Sequence, residues 1–113
     1  MEQPKQRVIQ EYVPGKQLTL AHVIANPDQV LYTKLGIENA NALGILTLTP
    51  TETAIIAADI ATKAANVDIG YLDRFTGSLV IVGDVSAVEM AIEAVNSFLH
   101  EKLQFSIAPL TRS

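Results

Sequence analysis

The side chains best suited to acid–base catalysis or metal binding are two histidines and four scattered aspartates: His22, His100, Asp59, Asp68, Asp73 and Asp84. Both histidines fall in segments predicted to be helical. Neither has a second ligand at the spacing that metal sites use, so an ordinary imidazole is the better interpretation. No two aspartates are spaced for acid–base work, and Ser86 in DVSAV does not form a nucleophile elbow. The sequence therefore predicts no catalytic residue, metal site or cofactor, and argues against an enzyme.

The stretch LDRFTGSLV, residues 72–80, places apolar residues on both sides of a predicted hairpin tip. An aromatic residue beside a charge and small polar residues has two interpretations here. In the first, Arg74 and Phe75 belong to an ordinary tip, with some residues in solvent and one packed on the core. In the second, the tip lines an opening in an assembly.

Lys63 also has two interpretations, because it follows Asp59 by four residues near the end of a predicted helix. An i,i+4 ion pair and the favourable effect of a cation at a helix C-terminus explain it within one chain. The alternative is a lysine at a subunit edge that meets a neighbouring molecule.

The composition predicts one domain with a surface that is unusually poor in charge. The chain has 113 residues, enough for a single core, and 49% of them are hydrophobic while only 18% are charged. A surface so poor in charge indicates either deep internal burial or contact with other subunits. Cysteine is absent, and neither a signal sequence nor an apolar run long enough for a membrane span is found, so a cytosolic domain is expected.

Charge argues against a nucleic-acid partner. The formal net charge is −4, and eight basic residues spread along the chain do not form a phosphate-binding surface. RNA-binding modules of the predicted fold stack bases on aromatic residues in their central strands. The corresponding strands, LGILTLT and SLVIV, have neither an aromatic nor a basic residue.

The chain begins with elements that precede a regular core. RVIQEYV reads as a strand that ends at Pro14-Gly15, and TLAHVIANPDQVLYTKLGI reads as two short helices. Thr19 is the expected N-cap of the first of these helices and Asn26 that of the second, which Gly36 ends.

From Leu43 the predicted order is β-α-β-β-α-β. The strands are ALGILTLT, VDIGYLD, SLVIV and QFSIAPL, and capping boxes at Thr49–Glu52 and Ser86–Glu89 open the two helices. Helical spacing predicts the inner face of the second helix to be Ala87, Met90, Ala91, Ala94, Val95, Phe98 and Leu99. The order predicts a ferredoxin-like α/β sandwich, of the α+β kind, with two helices on one face of the sheet.

Two segments together carry a family resemblance. AADIATKAANVDIGYLDRFTGSLV followed by GDVSAVEMAIEAV resembles the BMC domain of bacterial microcompartment shell proteins, over residues 43–108. Ordinary members begin at the equivalent of Leu43 and end with a short helix. Here ANPDQVLYTKLG places that helix at the front, so the chain resembles the circularly permuted subgroup of ethanolamine- and propanediol-utilisation microcompartments. The expected division is 1–17 as an N-terminal barrel strand, 18–42 as a permuted helical segment and 43–113 as the core.

The resemblance implies a structural protein of the cytoplasmic microcompartment shell. Six copies would form a flat or bent hexameric tile, and tiles would enclose enzymes of ethanolamine, propanediol or choline breakdown. The implied partners are further copies of the chain and other shell proteins, with enclosed enzymes as further candidates, and neither nucleic acid nor a membrane. A heterologous interface that closes at six leaves a central opening.

The resemblance also assigns roles to individual residues. The opening would be lined by the hairpin tip, Arg74, Phe75, Thr76, Gly77 and Ser78. Lys63 would be the tile-edge lysine. Six N-terminal strands would close a small β-barrel above the centre, each contributing Val8, Ile9, Gln10, Glu11, Tyr12 and Val13. One feature departs from the family, because the chain ends IAPLTRS and only Pro109 matches the usual Pro-Arg-Pro-His turn, which leaves open whether Arg112 replaces its arginine.

A regulatory domain of the same strand order, an ACT-like module that binds a small metabolite, is the alternative from a different class. Such a domain usually makes polar contacts through a glycine-containing first loop. The corresponding loop here, LTPTET, has no glycine.

Overall fold

Five strands form one sheet in the computed structural model of the chain, which describes residues 16–37 and 40–113. The strands are β1 (Gln17–Ala25), β2 (Ala42–Thr49), β3 (Asp68–Asp73), β4 (Ser78–Gly83) and β5 (Thr111–Arg112). The helices are α1 (Gln29–Leu35), α2 (Thr53–Ala64) and α3 (Val85–Leu103). None of these helices is long and apolar enough to cross a membrane.

The sheet has the order β3-β4-β2-β1-β5. Pairing is antiparallel between β1 and β2, β2 and β4, and β3 and β4, whereas β5 runs parallel to β1. Helices α2 and α3 cover one face of the sheet, and α1 packs on the other through buried Tyr32. The predicted α/β sandwich with two helices on one face is confirmed, with α1 added on the opposite face.

The predicted helix that begins at Thr19 is wrong. Residues Gln17–Ala25 form strand β1, which pairs with β2 from Gln17↔Thr49 to Ala25↔Ala42. The register shifts between Leu18 and Leu20, so the strand's alternation of buried and exposed residues is broken at Thr19. The predicted second helix is confirmed as α1 and ends at Gly36 in a left-handed conformation, but its N-cap is Asp28 rather than Asn26.

The predicted last strand, QFSIAPL, is also wrong. Within it only Ser106 forms a single bridge, to Gln17, and β5 begins later at Thr111. In the sheet, β1 rather than a strand from this segment lies beside β2. The element in front of the core is therefore a strand and a helix, not the helical segment predicted for residues 18–42.

Neither predicted capping box forms. Helix α2 begins at Thr53 after Glu52, and α3 begins at Val85 after Asp84, in both cases without a side-chain cap hydrogen bond. Ser86 consequently lies inside the first turn of α3 rather than at its cap.

The main core lies between the sheet and the pair α2 and α3. Helix α2 contributes small side chains, which allow its backbone to approach the sheet closely: Ala54, Ala57, Ala58 and Ala61. On α3 the buried residues are Val88, Ala91, Ile92, Val95 and Leu99. Three of these match the predicted inner face, but Met90 and Phe98 are wrong, since 56% and 40% of their surfaces are exposed.

Candidate functional site

The hairpin tip between β3 and β4 is organised by Asp73. Its Oδ1 accepts hydrogen bonds from the backbone N–H groups of Phe75, at 2.8 Å, and Thr76, at 3.4 Å. The backbone N–H of Gly77 donates to the Asp73 carbonyl at 2.9 Å. The hydrogen bond from Phe75 is the main reason why the pKa of Asp73 lies below its ordinary value of 3.8. Asp73 thus fixes the turn as an acceptor of its backbone amides.

This arrangement predicts an acid-sensitive tip. Because the pKa of Asp73 is lower in the folded tip than in the unfolded chain, its carboxylate stabilises the folded tip at any pH above the unfolded-state pKa. That stabilisation is lost as the pH falls through the folded-state pKa. We expect the amide protons of Phe75 and Thr76 to titrate together in NMR spectra, with a midpoint below 3.8. An Asp73→Ala variant should lack this transition, whereas a midpoint at or above 3.8 in the unmodified chain would contradict the proposed turn.

Gly77 holds the tip against the end of β2. It is buried, has a φ of 79° and accepts a hydrogen bond from the Leu48 N–H at 2.9 Å. A Cβ atom at this position would lie 2.2 Å from the Leu48 carbonyl oxygen. Because such a contact is far below van der Waals distance, only glycine fits without a shift of the backbone.

Arg74 and Phe75 project away from the core. The Arg74 guanidinium lies 4.8 Å from the centre of the Phe75 ring, a cation–π distance, and 77% of Phe75 is exposed. Neither Arg74 nor Phe75 is therefore the tip residue that packs on the core, and the buried residue of the tip is Gly77. An exposed aromatic at a well-ordered tip is compatible with the alternative, in which the tip faces other molecules.

Hydroxyl groups lie on the side of the tip next to the sheet. Thr76 Oγ1 donates to Ser78 Oγ at 3.2 Å, and Tyr71 donates to Asp73 Oδ2 at 3.3 Å. The negative charge of Asp73 raises the pKa of Tyr71, so its hydroxyl remains a donor. The tip thus combines one exposed cation, one exposed ring and several hydroxyls, without a group placed for catalysis.

Lys63 forms the ion pair that its spacing predicts. Its Nζ lies 3.0 Å from Asp59 Oδ2, and both side chains are largely exposed, at 75% and 59%. Two large apolar residues of the same helix, Ile55 and Ile56, are also exposed. The contact explains Lys63 within one chain, and its role at a tile edge stays a prediction.

The other candidates make contacts within the chain. His22 lies in β1, not in a helix as predicted, and both of its ring nitrogens contact hydroxyl groups. His100 lies in α3 as predicted, with Nδ1 3.4 Å from the Phe105 carbonyl oxygen. Arg112 pairs with Glu89, and this hydrogen bond raises the pKa of Arg112. Across residues 16–37 and 40–113, no group of histidines and carboxylates could hold a metal ion.

An apolar groove on the α1 side of the sheet was not predicted. It encloses about 340 Å³ and is lined by Ile24, Leu31, Leu35, Leu43, Ile45, Tyr71, Ser78 and Val80. The run SLVIV contained the signal for it, because an uninterrupted apolar strand is typical of a sheet covered on both faces. The predicted barrel residues Val8–Val13 lie outside the described part of the chain.

Comparison with known proteins gives consistent matches. The family model described as BMC domain matches residues 42–109. The bacterial microcompartment shell protein PduU of Salmonella typhimurium is 59% identical over 108 residues, which cover 95% of this chain and 93% of PduU. EutS of Escherichia coli K12, a shell protein of the same description, is 55% identical over 109 residues, 96% of this chain and 98% of EutS.

A solved structure described as a CutR flat hexamer, form 1, superimposes with a TM-score of 0.86 at 54% identity. The match covers 95% of this chain and 99% of that one. These matches support a shell protein and give no support to the regulatory metabolite-binding alternative.

Proposed function

Because this chain belongs to the BMC-domain family, whose named relatives are bacterial microcompartment shell proteins, we propose that it is a structural component of such a shell. It is not an enzyme, since those relatives are shell proteins. The observation that carries the proposal is a 59% identity extending over 95% of the chain, because similarity at that level covers core and surface alike. The shell would enclose enzymes of ethanolamine, propanediol or choline breakdown.

The working unit is a hexamer of identical chains, in keeping with the hexameric form of the CutR relative. Native mass spectrometry of the full chain at near-physiological salt tests this directly, with a mass of six chains as the expected result. A monomer or dimer as the largest species would overturn the proposal. The same measurement on a chain lacking residues 1–15 tests whether assembly depends on the barrel proposed for Val8–Val13. A hexamer that survives this truncation would make the barrel an accessory to assembly.

The hairpin tip is proposed to surround the six-fold axis. Arg74, Phe75, Thr76, Gly77 and Ser78 would face their symmetry copies, and the exposed ring and guanidinium would be covered from the side by neighbours. The exposure of Phe75 at a tip fixed by Asp73 and Gly77 supports this placement, because aromatic residues are enriched in protein interfaces and this ring is free to meet a partner. Other shell proteins and enclosed enzymes would meet the tile elsewhere.

A histidine substitution tests the placement of the tip. In Thr76→His, six imidazoles would meet at the axis, and Zn²⁺ would bind there because imidazole nitrogens are among its usual ligands in tetrahedral sites. We expect Zn²⁺ at about tenfold its dissociation constant to raise the stability of the hexamer by about 1.4 kcal/mol, read as a higher melting temperature that EDTA reverses. The unmodified chain, which retains His22 and His100, is the control. An equal response of the two proteins would contradict the placement.

Lys63 is proposed to join neighbouring hexamers. We expect Lys63→Ala to keep the hexamer and to change the free energy of unfolding by less than about 0.5 kcal/mol, because exposed ion pairs contribute little. Growth of hexamers into sheets, followed by electron microscopy, should be lost.

Asp59→Ala is the matched control for Lys63→Ala. It removes the same ion pair but leaves the lysine amine, and it should retain sheet growth if Lys63 acts between tiles. Equal loss of sheets in both variants would assign the effect to the ion pair within one chain.

A further inference from the structure

The residues Ser106–Ser113, which we term the strap, run along the outer edge of β1. Strand β2 pairs with the other edge of β1, so the strap alone covers the outer edge within the described residues. Four backbone hydrogen bonds of 2.8 to 3.0 Å hold it there, two at each end: Ser106 N to Lys16 O, Leu18 N to Ser106 O, Ser113 N to Val23 O and Ala25 N to Ser113 O. The strap therefore satisfies donors and acceptors of β1 that would otherwise be free.

His22 fastens the far end of the strap. The Thr111 hydroxyl donates to the Ala21 carbonyl at 3.3 Å, and its oxygen lies 2.6 Å from His22 Nδ1, within hydrogen-bond distance. The other ring nitrogen, Nε2, lies 2.8 Å from the Ser113 hydroxyl. One side chain of β1 thus holds two strap residues, and both contacts are exposed.

Two further polar contacts join the strap to α3. Arg112 pairs with Glu89 of α3, and Asn96 Nδ2 donates to the Ala108 carbonyl at 3.3 Å. None of the eight strap residues is buried, and only Leu110 packs partly against the core. A segment held by exposed polar contacts opens at a lower free energy than the sheet behind it.

Strand β1 has none of the usual protection of an edge strand. Proteins block open edges with charged residues or proline, but Gln17–Ala25, QLTLAHVIA, has neither. These protective residues occur in the strap instead, as Pro109 and Arg112. The task of preventing strand addition at this edge therefore falls to the strap.

We propose that the strap is a detachable cover over a strand-pairing surface, and that a second copy of this chain takes its place when it opens. Two β1 edges can pair with each other in antiparallel orientation, because the strand is uncharged and apolar enough to meet itself without repulsion. This contact would come in addition to the hexamer proposed above, and its test does not require that the hexamer forms. The strap thereby decides whether copies associate only through their shell interfaces or also through β1.

The test compares three forms of the full chain: unmodified, released and locked. The double substitution His22→Ala and Arg112→Ala releases the strap, because it removes the contacts of His22 with Thr111 and Ser113 and the ion pair of Arg112 with Glu89. His22→Cys with Thr111→Cys locks it, because these residues are paired in register on adjacent strands about 4.8 Å apart, within reach of a disulfide, and the chain has no other cysteine. Reduction of the locked form provides a matched control in the same protein.

Hydrogen exchange at the Leu18 and Ala25 amides reports opening, and native mass spectrometry reports association. In the unmodified chain, we expect these two amides to exchange faster than those of β2 and β4. Their exchange should be about tenfold faster again in the released variant and slow in the oxidised locked form. Species larger than the unmodified assembly should form in the released variant and be suppressed in the oxidised locked form. The proposal would be overturned if the Leu18 and Ala25 amides exchanged as slowly as those of β4 and the released variant did not change their rate. It would also be overturned if these amides exchanged faster in the released variant but no larger species formed.

Discussion

Replacement of Gly77 by alanine is expected to lower the free energy of unfolding by about 3 kcal/mol. A left-handed backbone costs a residue with a Cβ roughly 1–2 kcal/mol, and the clash with the Leu48 carbonyl oxygen adds the loss of the hydrogen bond between Leu48 and Gly77. Urea unfolding at one fixed protein concentration measures the effect, since the stability of an assembly depends on concentration. The tip that carries Arg74 and Phe75 should become mobile in the same variant.

Gly36→Ala is the matched control for this change. Gly36 has a similar φ of 73°, but nothing lies within 4 Å of the position that a Cβ would take. Its replacement should therefore lower the free energy of unfolding by about 1 kcal/mol, the cost of the left-handed backbone conformation alone. Equal losses at the two positions would mean that the contact with β2 does not constrain the tip.

The second large effect is expected at Tyr32, the buried side chain that joins α1 to the sheet. Tyr32 packs against Leu43, Val80 and Val82 in a cluster separate from the main core. Truncation to alanine should cost about 3–5 kcal/mol, the usual range for a buried aromatic, and should release α1 from the sheet. Urea unfolding measures the first effect, and faster hydrogen exchange in α1 than in α3 measures the second.

Tyr32→Phe separates packing from hydrogen bonding. The Tyr32 hydroxyl donates to the Ala40 carbonyl, and its loss should cost about 1 kcal/mol while the ring stays in place. A loss as large as that of Tyr32→Ala would show that the hydrogen bond, rather than the ring, holds α1 and the following segment.

The centre of the fold was predictable from local sequence patterns. Strands β2, β3 and β4 and helices α2 and α3 follow from alternation, from helical spacing and from turn residues, all of which act over a few positions. The pair Asp59 and Lys63 follows from the same kind of rule, since residues four apart on a helix are neighbours.

Strand β1 was not predictable in this way. The register shift after Leu18 interrupts its alternation, and the leucines and alanines around His22 favour a helix when taken alone. Pairing with β2 outweighs that local preference. QFSIAPL shows the converse, because its alternation favours a strand, but β1 already occupies the position beside β2 and Pro109 lacks an N–H to donate.

The outward-facing residues were the hardest to assign. Helix α3 is apolar around more than half of its circumference, so spacing alone placed Met90 and Phe98 in the core when Val88 and Ile92 are the buried residues. At the hairpin, the turn residues predicted a tip, but the burial of Gly77 depends on the carbonyl oxygen of Leu48, almost thirty residues earlier in the chain. Such contacts arise only once the sheet has formed.

The position of β1 beside β2 also determines how this chain can begin to fold. The two strands pair along their whole length, yet the connection between Ala25 and Ala42 is short and contains α1. If the strand that pairs with β2 instead followed α3, loop closure would span the entire core and cost more entropy before any contact formed. A growing polypeptide has both partners available once Thr49 has left the ribosome, with the rest still unmade. We therefore expect β1 and β2 to form the nucleus on which the later elements assemble.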